Sequence, residues 1–214
     1  MIVILGGGPA GRTAALHLAK AGREVLLAER GGPSAIGGQC LNYGCMAICG
    51  LSDVARTLTA SRTMAGLGIF DGTLDLDFPR LLHELRTVQD TIARVLDTET
   101  RDAGVTIRYH TTATFDGISA RLDGTAVEAE AVLIAAGSRP AIPDIPGIGL
   151  TGVYTPHTLA RMPALPGQLA IIGGGVMAAE FAHVFRSFGT EVHVICRNLF
   201  LKDLDPALRT CAVR

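Results

Sequence analysis

Residues 1–30 have the sequence MIVILGGGPAGRTAALHLAKAGREVLLAER, and their pattern is the strongest indication of the fold class. Met1–Leu5 is a short apolar run typical of a buried strand, and it ends in glycines. Gly11–Ala21 has apolar residues at helical spacing, and the glycine at 22 predicts the end of that helix. Glu24–Ala28 is a second apolar run. The order strand, glycine turn, helix, strand predicts the start of a doubly wound parallel sheet, and therefore an α/β fold.

The glycine turn, residues 6–11, has the pattern G-x-G-x-x-G between the strand and the helix. The first glycine permits the turn, the second lets the backbone approach a pyrophosphate, and the third lets helix and strand pack closely. The unpaired N–H groups of the first helical turn can then bind phosphate oxygens. Glu29, at the end of the next strand, can accept hydrogen bonds from an adenosine ribose. The motif predicts a dinucleotide site; a tight turn that binds no ligand is the alternative.

The composition indicates a globular protein with a substantial core. Apolar residues make up 48% of the 214 residues and charged residues 18%, a balance that argues against a disordered chain. The net charge of -1 gives no electrostatic footprint for nucleic acid or an anionic membrane, so neither partner is predicted. The first residues do not resemble a signal peptide and no apolar run is long enough to span a bilayer, so we expect a cytoplasmic location. An odd count of 5 cysteines argues against a framework of structural disulfides.

The sequence between the first unit and the connector predicts one long helix and several short strands. Phe78–Ala103 has the apolar spacing of an amphipathic helix, with Asp77 as its candidate N-cap and Pro79 in its first turn. Its predicted inner stripe consists of Leu81, Leu82, Leu85, Val88, Ile92, Val95 and Leu96. The predicted strands are Val105–Tyr109, Ala113–Phe115, Ile118–Leu122, Ala126–Glu128 and Val132–Ala135. The three in the middle alternate in polarity and predict a small antiparallel meander.

A second unit of the same kind follows a proline-rich connector. The strand Leu169–Ile172, a GGG turn, the helix Val176–Phe188 and the strand Glu191–Ile195 repeat the opening order. Leu199–Arg214 predicts no further strand, so we expect the second dinucleotide-binding domain to be incomplete. The predicted organisation is a first dinucleotide-binding domain over residues 1–145, a connector over 146–166 and an incomplete second domain over 167–214.

Residues 37–50, GGQCLNYGCMAICG, place two cysteines at the predicted start of a helix that extends to about Met64. Five helical residues advance about 7.5 Å, beyond the Cα separation of about 4.4–6.8 Å that is usual in a disulfide. A bridge between Cys40 and Cys45 therefore needs a distorted first turn, which Gly44 makes easier, and such a bridge would be easy to reduce. A helix N-terminus also favours the thiolate. Two buried free cysteines, or two ligands of a metal site, are the alternatives, although no second Cys/His pair has metal-site spacing.

The segment GGQCLNYGC resembles the redox-active disulfide segment of the class I pyridine nucleotide–disulfide oxidoreductases, the group of dihydrolipoamide dehydrogenase, glutathione reductase and mercuric reductase. The resemblance extends from the first glycine turn through AAGSRP to the second glycine turn. It implies an enzyme in which NAD(P)H reduces FAD, FAD reduces a Cys40–Cys45 disulfide, and the Cys40 thiolate attacks an oxidised substrate. It also implies that Cys45 is the thiol next to the flavin. The residues implied to hold FAD are Gly6, Gly8, Pro9, Ala10, Gly11, Glu29, Gly37, Gly38, Ala136 and Gly137.

The second turn, GGGVMAAEFA, is similar to the nicotinamide-binding turn of the same family. Gly173 and Gly175 stand at the first and second glycine positions, and Ala178 stands for the third. The resemblance implies that Glu180 is the family's glutamate near the nicotinamide, with a part in catalysis.

The end of the following strand bears on the choice of nucleotide. An acid there would favour NADH, but Cys196 occupies its place and Arg197 follows. Arginine can pair with a 2′-phosphate, so NADPH is favoured; a solvated loop charge is the alternative. The stretch CRNLFLKDLDPAL is most similar to the mercuric reductase version of this turn.

The sequence departs from the family pattern at three positions. Ala136 stands where threonine is usual, and Ala47 and Cys49 stand where the family has a proline and a lysine. Because that lysine pairs with the glutamate near the flavin, Glu180 would lack its usual cation. We expect Cys49 to be a small buried residue; an additional thiol on the helix face of Cys45 is the alternative.

The chain is also shorter than members of the family. The rest of the nicotinamide domain, a second flavin-contacting motif and the C-terminal dimerisation domain have no counterpart in the sequence. In the family that last domain supplies, from the partner subunit, an acid–base histidine; none of the 6 histidines here lies in such a segment, and none is assigned a role. The resemblance implies a homodimer for the complete family member and a small-molecule or protein disulfide or dithiol as substrate.

Two other hypotheses stay open from the sequence. The chain could be a truncated, catalytically inactive remnant that binds a dinucleotide weakly. It could also be a flavoprotein without a working disulfide, such as an oxidase or a monooxygenase.

Overall fold

The computed structural model of the chain describes residues 1–116 and 119–212. The strands are β1 Ile2–Leu5, β2 Val25–Ala28, β3 Thr106–Arg108, β4 Ala113–Asp116, β5 Ser119–Leu122, β6 Thr125–Val127, β7 Ala131–Ile134, β8 Gln168–Ile172 and β9 Glu191–Ile195. The α-helices are α1 Pro9–Lys20, α2 Gly38–Asn42, α3 Cys45–Gly66, α4 Phe78–Asp102, α5 Val176–Phe188 and α6 Pro206–Ala212. Short 3-10 helices cover Pro33–Ala35 and Leu159–Arg161. Ile118, the predicted start of the second meander strand, and the last two residues of Leu199–Arg214 lie outside the described residues.

The first sheet is parallel and has the strand order β3-β2-β1-β7. Ile2 of β1 is opposite Val25 of β2 on one side and Ala131 of β7 on the other. The chain therefore moves outward from β1 through β2 to β3 and then returns to the opposite side of β1. This reversal places a crevice at the carboxyl ends of β1 and β7, where doubly wound sheets bind ligands. The predicted doubly wound α/β fold is confirmed.

Successive side chains of a strand point to opposite faces of a sheet, and in this sheet both faces are covered. On one face, fully buried Ile4 belongs to a cluster with Ala15 of α1 and Ala93 of α4. On the other face, Val3 belongs to a cluster with Leu122 of the β4-β5-β6 meander, whose strands pair antiparallel as predicted. The sheet is thus the middle layer between helices and a small antiparallel sheet.

The long helix α4 is present as predicted, and its inner face is the predicted one only in part. Five residues of the predicted stripe are half-buried, namely Leu81, Leu82, Leu85, Ile92 and Leu96. Asp77 is confirmed as the N-cap, since its Oδ1 accepts a first-turn N–H at 2.9 Å. Val88 and Val95, assigned to the inner stripe, are exposed, whereas Gln89 and Thr100 are buried. The assignment of Val88 and Val95 to the inner stripe was wrong. Gln89 and Thr100 can be buried because hydrogen bonds satisfy their polar groups. Gln89 donates to backbone carbonyls of α2, and Thr100 donates to a carbonyl of its own helix.

The second glycine unit consists of β8, α5 and β9, and the two strands pair in parallel with Gln168 opposite Glu191. The predicted bounds of α5 and β9 are those observed. Phe185 of α5 is buried beside the ring of Phe78, with the two centroids 6.0 Å apart. Alternate residues of both strands are exposed, including Ile172 at 56%. Only one face of this two-stranded sheet is covered within the described part of the chain.

Contacts divide the chain into two compact units. Residues 1–47 and 83–161 form one, and residues 48–82 and 162–214 form the other. The division into domains at residues 145 and 167 stays a prediction. Among the helices of residues 1–116 and 119–212, none combines the length and the apolar character needed to cross a bilayer.

Candidate dinucleotide and cysteine site

The first glycine turn lies against the end of β7, and close backbone contacts explain two of its glycines. Gly6 has a φ of +110°, and a Cβ there would overlap the carbonyl oxygen of Ala135. A Cβ at Gly11 would overlap the carbonyl oxygen of Gly6 itself. Side chains at either position would push the turn away from the sheet. Ala136 lies at the same place, with its Cα 3.2 Å from the position of a Cβ on Gly6. AAGSRP therefore meets the first turn at the crevice.

The N-terminus of α1 is arranged to receive an anion. Gly8 is its N-cap, and within the described part of the chain no side chain caps the helix. Pro9 has no N–H and occupies the first turn, so the N–H groups of Ala10 and Gly11 are the donors directed out of the helix start. Such groups, together with the positive end of the helix dipole, favour phosphate oxygens.

Glu29 is held rigidly beside this turn. Its Oε2 accepts the N–H of Gly7 at 2.7 Å, and its Oε1 accepts the N–H of Gly31 at 2.8 Å. Each carboxylate oxygen has a second lone pair, so the group can still accept hydroxyl donors from a ribose. Glu29 therefore lies beside the glycine turn, and its role toward a ribose stays a prediction.

Tyr109 follows β3 at the same edge of the sheet. Burial first, and then its 2.6 Å hydrogen bond to Asp97, raise the pKa of Tyr109 well above its ordinary value. The phenol therefore remains a protonated donor over the physiological range. The hydrogen bond from Tyr109 to Asp97 holds the end of β3 against α4.

The two cysteines are presented by a segment that closes onto the first turn; we call residues 37–45 the cysteine loop. The N–H of Gly37 donates to the carbonyl of Gly7 at 2.9 Å. Gly38, with a φ of +57°, approaches so closely that a Cβ on it would lie 2.7 Å from the Cα of Gly8. Cys40 is two residues further along. The structure thus brings the cysteine loop and the predicted pyrophosphate turn together.

The helix carrying the cysteines is interrupted between them, which is the kind of distortion that a Cys40–Cys45 bridge would require. α2 ends at Asn42 and α3 begins at Cys45. The carbonyl of Gln39 accepts the N–H groups of both Tyr43 and Gly44, at 2.9 and 2.8 Å. This tight turn folds the chain back, so that a Cβ on Gly44 would lie 3.8 Å from the Cα of Cys40. Cys40 is half-buried and Cys45 is exposed; their pairing as a disulfide stays a prediction.

Two α4 residues support the loop, and the sequence reasoning missed both. Buried Gln89 donates from Nε2 to the carbonyls of Leu41 and Asn42, at 2.9 and 3.3 Å. Arg86 donates to the Asn42 side-chain oxygen at 3.3 Å, and the Asn42 amide donates to the carbonyl of Gly38 at 3.1 Å. Carbonyls at the end of a short helix need such partners when they are buried. The sequence feature that could have indicated this support is a glutamine, Gln89, directly beside the apolar stripe of α4.

The second glycine turn keeps the predicted local geometry. Gly173 has a φ of +135° and donates its N–H to the carbonyl of Ile195 at 2.9 Å. Gly175 is the N-cap of α5, Ala178 is buried in its first turn, and Glu180 is half-buried further along the helix. Glycine, glycine and alanine therefore occupy the predicted places of a nucleotide-binding turn.

The segment after β9 packs onto this second turn. A Cβ on Gly174 would lie 2.8 Å from the Cβ of Cys196, and the N–H of Leu201 donates to the carbonyl of Gly174 at 2.6 Å. Cys196 directs its thiol to the carbonyl of Asn198 at 2.9 Å. Arg197 is exposed at the end of the strand. The middle glycine of GGG is explained by the packing of Cys196.

One prediction about the thiols was wrong. Cys49 is exposed and is not the small buried residue that the sequence suggested. Its neighbours Ile48 and Leu51 on α3 are buried instead, so the helix turns the 49 position outward. The apolar residues of α3 determine which face of the helix is buried, and position 49 lies on the other face.

The comparisons with known proteins agree with the fold. A family model described as pyridine nucleotide-disulphide oxidoreductase matches residues 1–214. This chain belongs to that family, whose members use pyridine nucleotides and a flavin.

Individual relatives are similar at a moderate level. Dihydrolipoyl dehydrogenase of Acholeplasma laidlawii is 29% identical over 91% of this chain and 58% of its own. Mercuric reductase of Staphylococcus aureus is 27% identical over 97% of this chain and 38% of its own. The structure of the HOCl-induced flavoprotein disulfide reductase RclA of Escherichia coli superposes with a TM-score of 0.83 at 30% identity, over 100% of this chain and 46% of RclA. The chain thus spans about half the length of the relatives it matches.

Proposed function

We propose that this chain is the flavin- and nucleotide-binding part of an FAD-dependent NAD(P)H:disulfide oxidoreductase whose redox-active thiols are Cys40 and Cys45. One observation carries the proposal. The cysteine loop closes onto the first glycine turn through the Gly37–Gly7 hydrogen bond and the Gly38–Gly8 approach. Family membership supports the reaction class, and the loop supports these two cysteines within it.

The residues at the crevice fit FAD. The uncapped N-terminus of α1 would bind the pyrophosphate, and the carboxylate of Glu29 would accept the ribose hydroxyls. The glycines at 6, 8 and 11 add no side chains of their own to the turn, so the backbone can approach a ligand closely. We assign FAD binding to Gly6, Gly8, Pro9, Ala10, Gly11, Glu29, Gly37, Gly38, Ala136 and Gly137.

When bound, FAD would supply the transfer of two electrons from the nicotinamide to the cysteine pair. The reduced chain then performs thiol–disulfide exchange. The Cys40 thiolate attacks one sulfur of a substrate disulfide, forms a mixed disulfide and releases one substrate thiolate, which takes up a proton. The Cys45 thiolate next attacks the Cys40 sulfur, releases the second substrate thiol and leaves a Cys40–Cys45 disulfide.

We further propose that the second turn binds NADPH. Gly173, Gly175 and Ala178 would receive its pyrophosphate, and Glu180 would lie near its nicotinamide. Exposed Arg197, at the end of β9, can pair with a 2′-phosphate, whereas an acid at this strand end is absent from the sequence HVICRN.

The same proposal covers the organisation and the partners of the protein. Residues 1–145 would form the FAD domain, 146–166 the connector and 167–214 part of the NAD(P)H domain. The substrate would be a small-molecule or protein disulfide, the complete protein a homodimer, and its location the cytoplasm. We propose no nucleic-acid or membrane partner.

A second candidate is a catalytically inactive remnant that binds a dinucleotide. It is favoured by Ala47 and Cys49, which replace the family's proline and lysine, so that the cation expected for Glu180 is not provided at position 49.

Counting thiols under redox control tests the proposal. With FAD and NADPH, the oxidised chain should gain two alkylatable cysteines, and it should reduce a generic disulfide such as dithiobis(nitrobenzoate). Cys45→Ser should abolish this turnover while FAD binding stays within about twofold, because the variant keeps the glycine turn. Cys211→Ser, an exposed cysteine on α6, is the matched control and should behave like the wild type. Turnover that survives Cys45→Ser would refute the role of Cys45, and a wild-type chain that binds FAD without turnover would favour the remnant.

A further inference from the structure

An aromatic stack joins the cysteine loop to the connector. The rings of Tyr43 and His157 lie with their centroids 4.3 Å apart and their planes at 25°. Tyr43 stands between Cys40 and Cys45, and His157 belongs to the connector, more than a hundred residues later in the chain. The family motifs explain neither side chain.

The connector holds His157 in a defined turn. The N–H of Thr155 donates to the hydroxyl of Thr158 at 2.8 Å, and the N–H of Thr158 donates to the carbonyl of Thr155 at 2.9 Å. The 3-10 helix Leu159–Arg161 follows at once and continues the hydrogen bonding. The ring of His157 is therefore presented by a fixed segment of backbone.

The imidazole meets the loop with its face. Its Nε2 is buried and has no hydrogen-bond partner among residues 1–116 and 119–212. A buried nitrogen without a partner contributes nothing to holding the loop and costs free energy. The favourable part of the contact is the stacking of the two rings, which at this separation is attractive.

We propose that His157 is a positioning residue for the redox-active cysteines, acting through the ring of Tyr43. The N–H groups of Tyr43 and Gly44 both bond to the carbonyl of Gln39, so fixing Tyr43 fixes the turn that folds Gly44 against Cys40. Holding this turn raises the effective concentration of one cysteine thiol relative to the other. The stack thereby favours the Cys40–Cys45 disulfide over the open dithiol. This inference rests on the proposed function, since it assumes that the two cysteines form a disulfide.

The test is the equilibrium of the FAD-loaded chain with glutathione. In that reaction two cysteine thiols and one glutathione disulfide give the Cys40–Cys45 disulfide and two reduced glutathiones, read out by alkylation and intact mass. His157→Ala should lower the equilibrium constant three- to tenfold, and a tenfold change corresponds to about 30 mV for this couple. His157→Phe keeps the ring and removes the unpaired nitrogen, so it should stay within twofold of the wild type. His17→Ala, at an exposed histidine of α1, is the control and should change nothing.

A second readout does not depend on disulfide formation. The ring protons of His157 should resonate upfield in the wild type, because the imidazole stacks on the Tyr43 ring, and should return to their usual positions in Tyr43→Leu. Should His157→Ala fail to fold, Tyr43→Leu replaces it in the glutathione equilibrium, with the same expected loss.

The outcomes separate the two proposals. A wild-type chain that never forms the Cys40–Cys45 disulfide contradicts the proposed function. A wild-type chain that forms it, with His157→Ala unchanged, contradicts the role of His157 alone. His157→Phe behaving like His157→Ala would show that the nitrogen matters and the ring face does not, which also overturns the inference.

Discussion

The two glycine turns have nearly the same residue pattern, but the chain encloses them differently. At the first turn, Gly6 and Gly11 are each in backbone contact with a neighbour that leaves no room for a side chain. At the second turn, a Cβ on Gly173 or Gly175 would meet no atom within 4 Å, and position 178 already carries the Cβ of an alanine. Backbone contacts therefore constrain Gly6 and Gly11 in the first turn, whereas in the second turn the packed glycine is Gly174, which lies against Cys196.

The sheets beneath the turns differ in the same direction. Ile4 of β1 is 0% exposed between the helices and the meander, whereas Ile172 of β8 is 56% exposed. A glycine motif therefore defines only a local turn. The number of strands and covering layers around the turn determines how rigidly it is held. Within the described residues, the first turn is attached to a four-stranded sheet covered on both faces, and the second turn to a two-stranded sheet.

The largest expected effect comes from the core beneath the first turn. Ile4→Ala removes a fully buried side chain and should lower the free energy of unfolding by about 2–5 kcal/mol. Ile172→Ala, the equivalent change at the exposed strand, should cost less than about 1 kcal/mol. Urea unfolding followed by circular dichroism measures both. Equal losses would show that the two sheets are equally buried in solution.

The next effect comes from the turn itself. In Gly11→Ala the new methyl group overlaps the Gly6 carbonyl, so we expect a loss of about 1–3 kcal/mol and weaker FAD binding. Gly66→Ala, at a helical glycine of α3 with open space around it, is the matched control and should be neutral or slightly stabilising. A Gly11→Ala chain as stable as this control would contradict the tight packing of the first turn.

The smallest effect concerns the second turn and its choice of nucleotide. Arg197→Ala should raise the Kd for NADPH about tenfold, because one charged partner of the 2′-phosphate is lost, and leave the Kd for NADH within about twofold. Arg186→Ala, at an exposed arginine in the last turn of α5, serves as the control. Titration followed by nucleotide fluorescence gives the constants. Equal weakening of NADPH and NADH binding by Arg197→Ala would remove the argument for NADPH.

Local patterns in the sequence were enough to predict both glycine turns and the strands beside them. Those features depend on residues close together in the chain, such as glycine spacing and apolar runs. The inner face of α4 was predicted only in part, because buried Gln89 hydrogen-bonds carbonyls of α2 that lie 47 and 48 residues away in the chain. The stack of Tyr43 on His157 was missed for the same reason. A partner that is distant in the chain can hold a polar or aromatic residue in the interior. The periodicity of apolar residues does not predict such contacts.

In the proposed enzyme the cysteine loop lies against a flavin held by the first glycine turn. The absorption spectrum of the FAD-reconstituted chain, recorded during reduction by NADPH or dithionite, tests this directly. We predict a yellow protein that develops a long-wavelength charge-transfer band on reduction, retained in Cys40→Ser and lost in Cys45→Ser. A colourless protein, or a band of unchanged intensity in Cys45→Ser, would contradict the account.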